Sequence, residues 1–482
     1  MLIGLLSCCV TGATAQTFEE YRKRIQSEFN QYKSDTEREF KEYRDRINAE
    51  FAEYMRQTWP EYKAKPAKPV PPSPEPPKPV VKEPDTPPSN DPIPYDEVIP
   101  APKPVTPPQP PVPIPEPTVT PKPTFSFRFY GETCRLPLEN KHRFSLSAVD
   151  ENGVANGWKK LSDEIYLPVV KECLAYREQM QLCDWGYVLF VDKATSSFFP
   201  SDRQNEARLM SMFILTQSGY KVRIARSGNK LVLLLPSKDP VYQYSYLTLN
   251  GCNYYVFDKS LKRASFNVFD REFPKEQFFS LRMNQLPVLP VTSSSPRKLI
   301  SKFGAGLSVN IQTNRNLTDF LNDYPLSDKW NLYSSASLSD YAKEQLYPVL
   351  KQAISGKEKA EAANILLRFI QTAFEYQTDE EQFGYERPFF ADETLFYPYC
   401  DCEDRAILYS ILVRELLGLD VVLVYYPGHL ASAVCFDSEV RGDYFTINNR
   451  RYVVCDPTYI NADIGQAMPQ FKETNARIVR ID

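Results

Sequence analysis

The stretch YPYCDCEDRAILYSILVRELLG, residues 397–418, sets two cysteines two positions apart beside a run of acids and continues as an apolar helix pattern. From residue 403 onward the pattern is apolar on most of the helix circumference, and Gly418 is a typical helix stop. A helix that is apolar nearly all round is a buried helix. The sequence therefore predicts a central helix over 403–417, with Cys402 at its start.

Cys402 occupies the end of a helix at which a thiol is most readily activated. Unpaired backbone N–H groups and the positive end of the helix dipole meet there, and both favour the thiolate. The thiolate is the nucleophilic form of cysteine, and the same N–H groups can receive an oxyanion. We therefore expect a lowered pKa and rapid alkylation for Cys402. For Cys400 the expected role is packing, with a resolving thiol as the alternative.

Two residues on predicted strands complete a set of side chains for nucleophilic catalysis. The chain has two histidines, and His429 lies between the strand predicted over 421–426 and the next strand. Asp456 ends a strand predicted over 452–455. If these antiparallel strands pack on the helix, Cys402 attacks a carbonyl, His429 takes the thiol proton and Asp456 orients the imidazole.

Three motifs, CDCEDRA, GHLASAV and VCDPTY, occur in that order around these residues. They resemble the Cys, His and Asp motifs of the transglutaminase-like branch of the papain-like cysteine protease superfamily. The resemblance covers residues 330–482 and implies an α+β catalytic domain, which we place at 301–482. It also implies that Cys402 is the nucleophile, His429 the general base and Asp456 the orienting carboxylate.

The activity expected from this resemblance is hydrolysis of a peptide or protein amide through a thioester acyl-enzyme. Two alternatives stay open: transfer of a protein glutamine acyl group to an amine, and a non-catalytic cell-envelope binding or scaffold protein. No cofactor and no metal are expected. Cys400, Cys402 and His429 lack a second ligand pair at zinc spacing, and no acidic cluster has the spacing of a calcium loop.

The order of elements in the C-terminal part of the chain occurs twice. FFPSDRQNEARL at 198–209 aligns with 396–407, and YLTLNGCNYYVFD at 246–258 aligns with YFTINNRRYVVCD at 444–456. The aligned counterparts are Gln204 or its neighbours for Cys402, Asn229 for His429 and Asp258 for Asp456. Because the first copy has no thiol and no imidazole at these places, residues 125–300 are expected to form a degenerate, inactive transglutaminase-like domain.

The N-terminus predicts export. Residues 1–15 form a short apolar run that ends in Ala13-Thr14-Ala15, the small-x-small form of a signal-peptidase site. LLSC also resembles a lipobox on Cys8, so a lipoprotein is the alternative. We expect a periplasmic or cell-envelope-associated protein. The net charge of -4 gives no electrostatic footprint for a nucleic acid partner.

Residues 16–59 are predicted to form a hendecad coiled-coil helix. Eleven residues over three helical turns give about 3.67 residues per turn, slightly more than in a straight α-helix, which favours a right-handed supercoil. We therefore expect a homo-oligomer through 16–59, with a solitary charged helix as the alternative. Residues 60–124 hold most of the 42 prolines and are predicted to be an extended polyproline linker. The stripe of the repeat consists of Phe18, Phe29, Phe40 and Phe51 in one register, Tyr21, Tyr32, Tyr43 and Tyr54 in the next, and Ile25, Thr36, Ile47 and Thr58 in the third.

Overall fold

The fold of this chain is mixed α+β. The computed structural model describes residues 18–68, 79–83, 89–110, 124–162, 166–262, 264–273, 275–302 and 307–481. The predicted signal peptide over 1–15 lies outside these residues, so export stays a prediction. Among the described residues, no helix is both long enough and apolar enough to cross a membrane.

The described residues form twelve α-helices, numbered in chain order. The predicted helix over 403–417 is confirmed as the last of them, and Gly418 ends it with φ +64°. Helices α1 to α12 are Phe18–Met55, Glu151–Leu161, Leu167–Gln179, Asp184–Phe198, Gln204–Gln217, Arg315–Asn322, Trp330–Ser335, Asp340–Ile354, Lys359–Ala373, Asp379–Phe383, Ala391–Phe396 and Cys402–Leu417.

Eighteen strands are numbered in the same way. Strands β3 and β4, β10 and β11, and β12 and β13 form two-stranded pairs, and the other strands form two six-stranded sheets. Strands β1 to β18 are Glu61–Lys63, Tyr95–Ile99, Phe125–Phe129, Glu132–Leu136, Arg223–Ser227, Lys230–Pro236, Tyr246–Leu249, Cys252–Val256, Ser265–Val268, Arg297–Ile300, Ser308–Ile311, Glu375–Tyr376, Tyr399–Cys400, Asp420–Tyr426, His429–Cys435, Tyr444–Ile447, Arg450–Cys455 and Ala476–Arg480.

The two large sheets share one strand order. The first sheet runs β7-β8-β6-β5-β9-β1 and the second runs β16-β17-β15-β14-β18-β2. Each strand of one sheet therefore has a counterpart in the other sheet, with the same position in the sheet and the same order along the chain. Helix α5 packs on β5 and β6, as α12 packs on β14 and β15. The repeated order of elements that the sequence predicts is thus present in the helix and the strands of both copies. The edge strands differ, since β1 is antiparallel to β9 and β2 is parallel to β18.

The C-terminal turns of α1 dock on the first domain. Phe51 is buried and stacks on Trp158 of α2 with ring centroids 4.1 Å apart. Met55 is fully buried beside it. Phe51 of the aromatic repeat is therefore covered within the molecule and is not available to the predicted homo-oligomer. Tyr43 and Ile47, nearer the N-terminus, remain exposed at 45% and 38%.

The described part of the proline-rich segment lies against the folded part of the molecule and does not form a free linker. We call its described residues, 60–68, 79–83 and 89–110, the belt. The belt supplies edge strands β1 and β2, and it also meets the opposite edge of each sheet through the pairs Lys65–Tyr246 and Pro92–Tyr444. An edge strand makes ladder bonds on one side only, so flanking prolines are tolerated there. The prediction of an extended spacer is wrong for these residues.

Candidate functional site

Helix α12 fixes the position of Cys402. Strand β13 pairs in parallel with β12 and leads directly into the helix. The Asp404 side chain accepts hydrogen bonds from the Phe389 N–H (2.9 Å) and the Asp401 N–H (3.3 Å), which ties the first turn to the preceding chain. Residues 402–413 are buried. Cys402 therefore lies at the start of a central helix, as the sequence predicts, but its side chain has no exposed surface.

His429 and Asp456 are in direct contact. His429 begins β15, Asp456 follows the end of β17, and His429 Nε2 lies 2.8 Å from Asp456 Oδ2. The other carboxylate oxygen accepts the N–H groups of Thr458 (2.9 Å) and Tyr459 (3.2 Å). The carboxylate is thus held by its own loop, and it fixes the orientation of the imidazole.

Aromatic rings enclose the imidazole of His429. Phe471 stacks on it with ring centroids 5.2 Å apart and planes within 7°, and Tyr426 lies parallel at 6.4 Å. The hydrogen bond to Asp456 is therefore shielded from water, which strengthens it. Phe471 was missed in the sequence because nothing in the motifs marks an aromatic residue that follows the Asp motif at some distance.

The thiol of Cys402 lies beside the first residues of β15. The N–H of Leu430, next in sequence to His429, lies close enough to the Cys402 sulfur to act on the pKa of the thiol. The thiol itself donates to Glu403 Oε2 at 3.1 Å. Nδ1 of His429 is buried and has no hydrogen-bond partner among the described residues. The structure thus joins His429 to Asp456 and brings Cys402 to the neighbouring backbone, without a thiol–imidazole hydrogen bond.

The protonation of Cys402 differs from the expectation. Burial raises the pKa of the thiol well above its usual value, and the negative charge of Asp401 raises it further. The Leu430 N–H acts in the opposite direction but does not compensate. The predicted lowering of the pKa is therefore wrong for this conformation, and rapid alkylation of Cys402 stays a prediction.

Buried carboxyl groups surround the start of α12. Burial raises the pKa of Asp401 to about 7 and that of Asp379 to about 11. Two groups place one ligand atom per residue within 4.8 Å of one another: Asp401, Cys402 and Glu403, and Asp379, Glu386 and Glu403. These residues could hold a cation. The spacing argument missed the second group because its members come from separate segments that only the fold brings together.

The counterpart of this site in the first domain contains an ion pair. The strand register aligns Ser227–Lys230 with Tyr426–His429, so Lys230 is the counterpart of His429, and the prediction of Asn229 is wrong by one residue. Lys230 Nζ lies 2.6 Å from Asp258 Oδ2, the position of the imidazole–carboxylate contact in the second domain.

The residue in place of the thiol is Asn205, a neighbour of the predicted Gln204. Asn205 Oδ1 accepts the Leu231 N–H at 2.8 Å, and Leu231 is the counterpart of Leu430, whose N–H lies beside the Cys402 sulfur. The amide fills the place of the nucleophile and binds the same strand. No thiol or imidazole lies among Asn205, Lys230 and Asp258, so this cluster offers no nucleophile and no base of the required kind.

Two further thiols, Cys400 and Cys455, lie near the start of α12 and at the end of β17. Cys400 is buried, and burial raises its pKa to about 11. Cys455 is also buried, and its pKa is raised to about 12 for the same reason. All eight cysteines within the described ranges are free. Packing is therefore the role that the structure supports for Cys400.

Comparisons with protein-family models, with curated proteins and with solved structures gave no match for this chain. The resemblance to the transglutaminase-like branch therefore rests on the three sequence motifs alone.

Proposed function

We propose that residues 301–482 form a transglutaminase-like cysteine peptidase or amidase domain with Cys402, His429 and Asp456 as its triad. The observation that supports this most is the 2.8 Å contact between His429 Nε2 and Asp456 Oδ2. That contact leaves Nδ1 as the free basic position of the ring, on the strand whose next N–H meets the thiol. A general base needs this combination of an oriented ring and an unoccupied nitrogen.

The proposed reaction has two halves. The Cys402 thiol gives its proton to His429 Nδ1 while the sulfur attacks the carbonyl carbon of the substrate, and backbone N–H groups at the start of α12 receive the oxyanion. The imidazolium then protonates the leaving amine, and a thioester remains on Cys402. A water molecule, deprotonated by His429, attacks the thioester and releases the carboxylic acid and the thiol.

The environment of the thiol favours one version of this chemistry. Because the pKa of Cys402 is raised, the thiol is neutral at rest, and transfer of its proton to His429 accompanies the attack. The thiol must first leave its hydrogen bond to Glu403 Oε2. Substrate binding is the step that supplies this rearrangement.

Substitution of the nucleophile tests the proposal directly. Full-length protein is incubated with a peptide library and cleavage is read by mass spectrometry, with Cys402→Ala as the test variant. Loss of a catalytic nucleophile is expected to lower the rate by at least about 10³-fold. Cys435→Ala, on the same strand as His429, is the matched control and should retain activity.

The proposal is rejected if the Cys402→Ala protein cleaves peptides at the rate of the unchanged chain. Asp456→Asn gives a second check, because it keeps the shape of the side chain but removes the charge that stabilises the imidazolium. We expect a drop of roughly 10²-fold or more in kcat for this variant.

A further inference from the structure

The segment between β17 and β18, residues 457–475, covers the face of the sheet on which His429 lies; we call it the cover segment. Phe471 of this segment stacks on the imidazole. Tyr459 and Met468 are buried in the same apolar cluster as Phe471. The imidazole has no exposed surface, so a molecule approaches this face of the ring only when the cover segment moves.

The belt holds the cover segment near both of its ends. Close to Asp456, the Ile460 N–H donates to the Val80 carbonyl (2.9 Å) and the Lys82 N–H donates to the Ile460 carbonyl (2.8 Å). At the other end, directly after Phe471, the Lys472 ammonium group contacts the Ser89 hydroxyl. The belt thus contacts both the loop that follows Asp456 and the loop that carries Phe471.

One buried carboxylate joins the belt to the cover segment. Asp443 is 1% exposed and accepts hydrogen bonds from the Ser89 hydroxyl and the Asp91 N–H of the belt. The same carboxylate accepts the Ala467 N–H (3.1 Å) and lies 3.1 Å from Lys472 Nζ. A buried carboxylate is costly when it loses donors, so detachment of the belt weakens the hold of Asp443 on the cover segment.

The attachment of the belt at this place combines hydrogen bonds with one apolar contact, because the partly buried Val80 packs against the cluster that contains Phe471, while belt residues 79–83 and 89–91 include no fully buried side chain. Val81 is 60% exposed, and Asn90 contributes its side-chain oxygen to the Gly442 N–H (3.1 Å). Hydrogen bonds of this kind exchange with water at a small net cost, unlike the burial of a large apolar side chain. The belt can therefore detach here without unfolding the domain.

We propose that belt residues 79–83 and 89–91 are a latch that keeps the cover segment closed over His429, with Asp443 as the joint. Release of the latch opens the imidazole and the Asp456 loop to molecules in solution. That this controls access of substrate rests on the proposed function. The accessibility of the ring does not, and it can be measured without catalysis.

Carbethoxylation by diethylpyrocarbonate measures that accessibility. The chain has two histidines, so modification of His429 is read by mass spectrometry against His142, which is buried in the first domain and serves as an internal reference. In the full-length chain, the combined variant Lys82→Pro, Ser89→Ala and Asn90→Ala removes donors and an acceptor of the latch. We expect His429 to be modified at least tenfold faster, with the rate at His142 unchanged.

Two further variants decide the interpretation. Phe471→Ala removes the cover directly and should accelerate modification of His429 as well. Asn284→Ala removes a bond to the Val105 carbonyl at the far end of the belt and should leave the rate unchanged. An unchanged rate at His429 in the combined variant overturns the latch, and so does an equal acceleration at His142, which would show general loosening. Rapid modification without any peptide hydrolysis would keep the latch and reject the proposed function.

Discussion

Burial decides the protonation of the side chains around Cys402. A helix N-terminus stabilises a negative charge by about 0.3–1 kcal/mol, which is less than one pKa unit. Complete burial shifts the pKa of an acid by up to about 3–5 units in the opposite direction. Cys402 has both features, and the larger effect raises the pKa of its thiol. The sequence shows the helix end but not the exposed fraction of the side chain, so the direction of this shift could not be predicted.

Asp392 offers a measurable case of the same effect. Its carboxylate is buried, accepts the Ser339 N–H at 2.8 Å, and has a pKa raised to about 6 by burial. The folded state thus binds this proton more tightly than the unfolded chain, whose pKa is about 4. The tighter binding of this proton to the folded state stabilises the fold fully below pH 4, and this stabilisation is lost as the pH rises to 6.

We therefore expect Asp392→Asn to reduce the loss of stability between pH 4 and pH 7. The free energy of unfolding should fall by about 3 kcal/mol less than in the unchanged protein, because a shift of about two pKa units corresponds to that amount. Urea unfolding at a series of pH values measures the difference. Parallel pH profiles for the two proteins would contradict the argument.

At the scale of the elements, the sequence predicts what its periodicity determines. The apolar pattern after Cys402 predicts α12, and short, nearly continuous apolar runs predict β14 and β15. Both hairpins have two-residue turns, Gly228-Asn229 and Pro427-Gly428, in which the glycine stands at different positions. The sequence alignment was therefore wrong by one residue, and only the pairing of the strands shows that Lys230 corresponds to His429. The belt was missed because proline content describes a segment but not the surface on which it lies.

The docking of α1 predicts a stability effect at one residue of the aromatic stripe. Phe51 packs against Trp158 and Phe273, with ring centroids 4.1 and 4.7 Å apart. Removing a buried phenylalanine side chain costs about 3–5 kcal/mol, so Phe51→Ala should lower the stability of the first domain by about that much. Tyr43→Ala, at an exposed position of the same helix, is the control and should change it by less than about 0.5 kcal/mol. Chemical denaturation measures both, and equal small effects would show that α1 is not docked in solution.

At the scale of the whole molecule, three short motifs were enough to place the candidate site but not its surroundings. Cys402, His429 and Asp456 lie at the ends of a helix and of neighbouring strands in one continuous part of the chain. Packing of these strands on the helix is enough to bring the three residues close together. Asp379 and Glu386 come from outside the motifs, and the belt reaches the site from the N-terminal part of the chain. Long-range contacts of this kind leave no local pattern in a single sequence.

The N-terminal helix carries the last prediction, the homo-oligomer through residues 16–59. Phe51 is used within the molecule, but Tyr43 and Ile47 expose apolar surface on a long helix whose other positions are mostly charged. Apolar side chains that recur on one stripe of a helix gain stability when a second copy covers them. A parallel helical oligomer that leaves the docked turns in place is therefore expected.

Introducing negative charges into the stripe distinguishes this oligomer from other forms of association. In the full-length chain, Tyr43→Glu with Ile47→Glu places four or more like charges in a multi-stranded contact, while the docked residues around Phe51 stay intact. Multi-angle light scattering should show a multiple of the 55.5 kDa chain mass for the unchanged protein and a single chain mass for the variant. Equal masses for the two proteins would show that the stripe does not mediate association. In that case Tyr43 and Ile47 lie on a solitary helix, and the eleven-residue repeat has another cause.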